Sequence, residues 1–202
     1  MSTGWPVHLE AGPVGLRPIR LRDMSAWRSV RARNVDWLRP WDATSPETPT
    51  SPPPSFAAMV RHVSSEARAG RMLPFVVTYD GALVGQCTVN NIIRGSLRSA
   101  SVGYWVDQAY AGRGVMPTAV ALAGDYAMQT LGLHRLEICI RPENAASIRV
   151  VEKLGFRDEG MRPRFLHIDG AWRDHRVYAM TLEELPSNGL LARWQASRRP
   201  AQ

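Results

Sequence analysis

Lysine is almost absent from this chain. Lys153 is the only one among 25 basic residues, and the others are all arginine. That excludes a P-loop, which needs lysine between a glycine and a Ser or Thr, because Lys153 follows Glu152. Cysteine is scarce too. Cys87 and Cys139 lie within apolar, strand-like runs, which reads as two buried free thiols rather than a disulfide or a metal pair. The five histidines lack metal-ligand spacing. His167 and His175 flank an Asp-Gly turn and read as hairpin residues, so no metal is expected. No stretch of about 18 apolar residues occurs, so no membrane span is expected. Met1 to Glu10 lacks the basic-then-apolar order of a signal peptide. The reading is a cytoplasmic protein.

What is present fits one ordinary domain. The chain has 202 residues, of which 45% are hydrophobic and 21% charged. That length buries a sizeable core without staples and excludes a disordered or collagen-like chain. The formal charge is +7, but the arginines are spread out and form no continuous basic tail. A basic surface is compatible with ribosome contact or an anionic ligand, and direct nucleic-acid binding is not expected. The expected organisation is a single domain over residues 1–186, with a Pro/Ser/Thr-rich internal loop at 44–55. A tail at 187–202 carries a short helix around Leu190, Leu191 and Trp194.

Strand and helix patterns alternate along the domain. Val14 to Leu21 reads as a strand, Asp23 caps a helix running to about Asn34, and Ser55 caps another with Phe56, Met59, Val60 and Val63 on one face. Phe75 to Tyr79 and Leu83 to Ile93 are strands joined by Asp80-Gly81, a hairpin dipeptide. A strand at Ser101 to Val106, a helix at Gly114 to Leu131, a strand at Arg135 to Ile140 and a helix at Ala145 to Leu154 follow. Two strands around Asp169-Gly170 close the pattern. This predicts an α+β domain with a largely antiparallel sheet and helices on its faces.

Chemistry concentrates in two segments. In the first, the strand ending Tyr104-Trp105-Val106 leads to Gly112-Arg113-Gly114-Val115-Met116, which opens a helix. Glycine lets backbone approach a ligand closely, and a helix start offers free N–H groups and the positive dipole end. Together they suit a pyrophosphate. A dinucleotide fingerprint fails, because its third glycine would fall at Pro117. About 30 residues on, Asn144 occupies an N-cap position and Ser147 the first turn of a helix closed by Leu154-Gly155-Phe156. Alone, that is a capped helix.

In this order, the two segments resemble the GNAT acyltransferase family: a strand, an x-x-Gly-x-Gly turn, a helix, a strand, then Asn-x-x-Ser and Leu-Gly-Phe. The resemblance covers roughly Phe75 to Leu182. Within the family, Asn34 to Trp41, Gly132 to Glu137 and Ile168 to His175 resemble the RimJ-type ribosomal-protein N-alpha-acetyltransferases. Ala109 departs from the Gln or Arg common before the first turn glycine.

The resemblance implies a GNAT-like mixed, largely antiparallel sheet, splayed where acetyl-CoA binds. It implies acetyl transfer to an amine, with acetyl-CoA as co-substrate held by Tyr104, Trp105, Val106, Gly112, Arg113, Gly114, Val115, Met116 and Asn144. Ser147 is expected to protonate the departing thiolate. Glu137 is expected either to take the amine's proton or to be a structural carboxylate paired with arginine. Trp41 and Trp172 are candidate walls of the acceptor pocket. The implied acceptor is the N-terminal segment of a protein, a ribosomal protein in the first instance. A small-molecule amine is the alternative, and a basic ribosome- or RNA-associated module without chemistry is the third reading.

Overall fold

The computed structural model of the protein describes residues 4–47 and 52–198. Its frame is one eight-stranded sheet in the order β1-β2-β3-β4-β5-β6-β8-β7. The strands are β1 (Leu9–Ala11), β2 (Val14–Pro18), β3 (Leu73–Tyr79), β4 (Ala82–Ile93), β5 (Ser99–Val106), β6 (Arg135–Ile140), β7 (Arg157–Ile168) and β8 (Ala171–Thr181). Every neighbouring pair is antiparallel except β5 and β6. Both Asp-Gly hairpins form as expected, with Asp80, Gly81, Asp169 and Gly170 all at positive φ, the backbone that a two-residue loop demands.

Helices cover both faces. On one lie α1 (Met24–Arg33), the short α2 (Val35–Leu38) and α3 (Phe56–Arg68). Val30, Phe56 and Val60 pack there against Val76 and Leu83. Ser55 caps α3 as the sequence suggests, its Oγ accepting from Ala58 N–H at 3.2 Å. Asp23 does not cap α1. It ends a 3-10 turn (Leu21–Asp23) and accepts from Arg20 N–H at 2.7 Å and from Arg17 at 2.8 Å. Of the proline-rich loop, residues 48–51 lie outside the described residues; the flanks, 44–47 and 52–55, contain no helix or extended strand.

On the other face, α4 (Val115–Asp125) is buried along most of its length. It packs against β2, β4 and β5 and is apolar all round, as a central helix must be. A π turn, Tyr126–Thr130, ends it. Beside it lie α5 (Ala145–Leu154) and α6 (Gly189–Ser197).

The C-terminal segment corrects the expected boundary. Leu190 is fully buried and Trp194 is 6% exposed, so α6 belongs to the domain and is not a tail. Its first turn is held by Asp125, which accepts from Leu190 and Leu191 N–H at 2.7 and 3.0 Å. Trp194 Nε1 donates to Thr118 Oγ1 at 2.9 Å. Truncating an indole buried in this way costs about 3–5 kcal/mol. Trp194→Ala should lose that much stability in urea denaturation, and a loss under about 1 kcal/mol would mean that α6 contributes little to the core.

Candidate active site

The site begins where β5 and β6 part. They pair over three positions only, Ser99 with Arg135, Ala100 with Leu136 and Ser101 with Glu137. Beyond these, β5 stays paired to β4 as far as Gly85–Val106, while β6 follows β8. Asp107 N–H donates to Val84 O at 2.8 Å. Backbone groups alternate sides along a strand, so Trp105 and Asp107 turn theirs toward β4 and Tyr104 and Val106 turn theirs toward the gap. Trp37 Nε1 takes the Val106 carbonyl at 3.1 Å. The Val106 N–H faces the opening.

A cleft of about 610 Å³ occupies the opening. On the α4 side its walls include Tyr104, Val106, Gly112, Gly114, Val115, Met116, Asn144 and Ser147. On the other side they include Trp41, Gln86 and Trp105. The sequence-predicted residues therefore converge, with three exceptions. Arg113 is not a wall; its guanidinium lies over the Tyr110 ring, 5.2 Å from the centroid. Trp172 is 54% exposed at the tip of the β7–β8 hairpin, edge-on to His167 and away from the cleft. Glu137 is also outside the cleft walls. It accepts from Arg135 Nε at 2.9 Å and from Arg162 at 3.1 Å. Of the two roles expected for it, the geometry matches the structural ion pair, because both carboxylate oxygens already serve guanidinium donors.

The turn at Gly112–Gly114 has the backbone its glycines allow. Gly112 and Gly114 have φ of 77° and 82°. A Cβ on Gly112 would meet nothing within 4 Å, whereas one on Gly114 would come within 3.1 Å of Trp194. The turn is thus open at Gly112 and braced at Gly114 by α6. A second brace holds its approach. Asp107 is buried and receives Arg33, Asn34 Nδ2 at 2.9 Å and Ala109 N–H at 3.2 Å. Asn34 Oδ1 in turn accepts from Gln108 N–H at 2.9 Å. Asn34 works here as a clamp between α1 and the approach to the Gly112–Gly114 turn.

On α5, Asn144 Oδ1 accepts from Ser147 N–H at 3.0 Å, which makes it the N-cap. The Ser147 hydroxyl does not bond locally. It meets the Tyr104 hydroxyl at 2.7 Å across the gap. Burial pushes the Tyr104 phenol well above its ordinary range, against the opposing effect of Ser147. It therefore stays protonated at neutral pH. The sequence placed Tyr104 at the site for its backbone; its hydroxyl partner is visible only in three dimensions.

The side opposite α4 is aromatic. Arg31 lies over Trp105 and Trp27, 5.2 and 5.9 Å from the centroids, and pairs with Asp42 through contacts of 3.2 and 2.5 Å. Arg141 lies 5.4 Å from the Trp41 centroid and pairs with Glu143 at 3.2 Å. Both acids of the cleft wall, Asp42 and Glu143, are thus neutralised. Sequence reasoning missed Gln86, Thr88 and Asn90, which line this side from β4. The available signal was three polar residues at alternate positions, 86, 88 and 90, interleaved with apolar Cys87 and Val89.

Residues 14–157 match a family described as an acetyltransferase (GNAT) domain. The chain belongs to the GNAT acetyltransferase family. It is an acetyl-CoA-dependent N-acetyltransferase. A solved structure of Mycobacterium smegmatis RimJ in complex with CoA-disulfide is 40% identical, covers 97% of this chain and 96% of that one, and superposes with a TM-score of 0.89. The [ribosomal protein uS5]-alanine N-acetyltransferase of Escherichia coli is 30% identical over 80% of this chain and 84% of its own. The probable N-acetyltransferase YjcK of Bacillus subtilis is 45% identical, but over half of this chain and 56% of its own length. Among the described residues no helix is long and apolar enough to cross a membrane, and no group of His, Cys, Asp and Glu could hold a metal.

The clamp at Asp107 has a pH signature. Burial favours its neutral form, but Arg33, Asn34 and the Ala109 N–H outweigh that and hold the carboxyl below its ordinary range. A carboxyl lowered in the folded state contributes stability above its unfolded pKa of about 3.9, and that contribution is lost as pH falls through the folded value. Asp107→Asn should therefore be less stable than the native chain by about 2 kcal/mol at neutral pH. The difference should shrink once pH drops below about 4. Urea denaturation across pH checks this; equal stabilities at neutral pH would show that the clamp carries no load.

Proposed function

We propose that this chain transfers the acetyl group of acetyl-CoA to the N-terminal α-amine of a protein, a ribosomal protein in the first instance. The observation that carries the reading is the cleft that spans both sheet faces. One side has a phosphate cradle and a hydroxyl pair, and the other an aromatic chamber whose acids are already paired. A small polycationic amine would call for unpaired carboxylates there, whereas a peptide N-terminus does not. The likeness to RimJ and to the uS5-alanine enzyme supports the ribosomal acceptor.

Acetyl-CoA brings the activated acetyl group. The N–H groups of Gly112 to Met116 and the α4 dipole receive its pyrophosphate, and the open backbone of Tyr104 pairs with its amide arm as an added strand would. The Asn144 amide NH2, not used by the cap, orients the same arm. Val106 N–H stabilises the thioester oxygen as charge builds on it. The C–N bond forms and the C–S bond breaks. The amine's proton leaves to solvent, and solvent returns one to Ser147 as its hydroxyl protonates the departing sulfur, so the serine ends the step neutral; Tyr104 keeps that hydroxyl aimed.

Among the described residues, no carboxylate on the cleft wall is left to act as a strong base. An α-amine, which titrates at about 7.7–8.0 in simple peptides against about 10.4 for lysine, needs little help. Ser147→Ala should lower kcat by roughly 10²-fold while the KM for acetyl-CoA changes little. A raised KM with normal kcat would make Ser147 a binding residue. For the acceptor, a peptide with a free Ala or Ser N-terminus and no lysine should be acetylated. An N-terminally blocked peptide with an internal lysine should not. Comparable kcat/KM on the blocked peptide would overturn the α-amine assignment, and activity on neither would favour a small-molecule amine.

A further inference from the structure

Gln86 sits on β4 opposite Trp105, its register partner on β5. Its side-chain oxygen accepts from two indoles at once, Trp27 Nε1 and Trp105 Nε1, each at 3.0 Å. An indole N–H can only donate. The amide is therefore fixed, with its oxygen toward the two tryptophans and its NH2 turned the other way. Both rings are themselves held, with Arg31 stacked over them and anchored on Asp42. Gln86 is half-buried and lines the acceptor side of the cleft. Neither of its hydrogen bonds to the indoles uses the NH2 group. The result is a pre-aimed donor with no acceptor among the described residues, standing beside the strand whose end meets the thioester.

What such a donor can read follows from the geometry of the acceptor. A protonated amine nitrogen has no lone pair to accept from an N–H, and a neutral one would tie up the lone pair with which it must attack. In a peptide N-terminus the nearest oxygen is the first peptide carbonyl, within about 4 Å of the α-nitrogen by standard bond lengths. In a lysine side chain or a polyamine that place holds methylenes, which would leave the amide NH2 unpaired in a desolvated site. We infer that Gln86 is a specificity-determining residue that donates to the acceptor's first peptide carbonyl and so selects α-amines over ε-amines and polyamines. This rests on the proposed N-terminal acceptor and adds to it the group that reads it.

Gln86→Glu tests the inference with little structural disturbance. Its carboxylate can still accept from both indoles, but it has no donor for the carbonyl. The probes are an Ala-initiated peptide and its analogue in which the first peptide bond is an E-alkene, lacking the carbonyl. The native enzyme should prefer the amide peptide by about tenfold in kcat/KM, the usual scale for leaving one such donor unmatched. Gln86→Glu should lose about tenfold on the amide peptide and discriminate less than about twofold between the two, with the KM for acetyl-CoA unchanged. A merely structural role would move both substrates and leave the discrimination intact. Equal use of the two peptides by the native enzyme, or full discrimination retained in the variant, would overturn the inference while the N-terminal reading stands. Failure of the native enzyme to acetylate the amide peptide at all would overturn both.

Discussion

The site depends on the separation of β5 from β6 after a pairing of only three residues. Strand ends usually hide their backbone groups in a neighbour, because an unpaired buried N–H or C=O is costly. Here each strand is drawn away by its own anchor. The β5 end is tied to α1 through Asp107, Arg33 and Asn34. Just past the end of β6, Arg141 donates to Pro40 O at 2.7 Å and stacks on Trp41. The gap left between them is polar-edged, suited to a ligand that brings its own amides. The Gly112–Gly114 turn, the Ser147–Tyr104 pair and the aromatic side of the cleft are all arranged around that gap.

The near-absence of lysine has a structural counterpart at this site. Arg31 and Arg141 each do two things at once, pairing with a carboxylate and lying over an indole. A planar guanidinium allows both, and a point-like ammonium does so poorly. The side of the cleft opposite α4 consequently has walls that are aromatic and whose carboxylates are paired with arginine, despite a formal net charge of +7. The one lysine, Lys153, lies on α5 at the edge of the cleft with its ammonium 5.5 Å from the Trp194 centroid.

The Gly112–Gly114 turn is supported from two directions that are remote in sequence. Asn34 and Asp107 grip its approach from the α1 side, and Trp194 backs Gly114 from α6. This explains why a turn built on two positive-φ glycines, with little conformational restraint of its own, can present its N–H groups in a defined direction.

Much of this protein was determined locally and was therefore legible in the sequence. The Asp-Gly turns, the Ser55 and Asn144 caps, the strand–glycine–helix order and the bounds of β6 and α5 all follow from short-range rules of backbone conformation and hydrogen bonding. So does the convergence of Gly112, Gly114, Val115 and Met116 with Asn144 and Ser147, once the order of elements implies the fold. Other features needed the tertiary structure. Whether Glu137 faced a substrate or arginines depended on Arg162, 25 residues away. Whether residues after 186 formed a tail depended on a groove made by α4 and α5. The meeting of Ser147 with Tyr104, and the aiming of Gln86 by tryptophans 59 and 19 residues distant, depended on which side chains share one face of the sheet at a given register. Local pattern sets which face a residue takes, but only packing decides what stands opposite it.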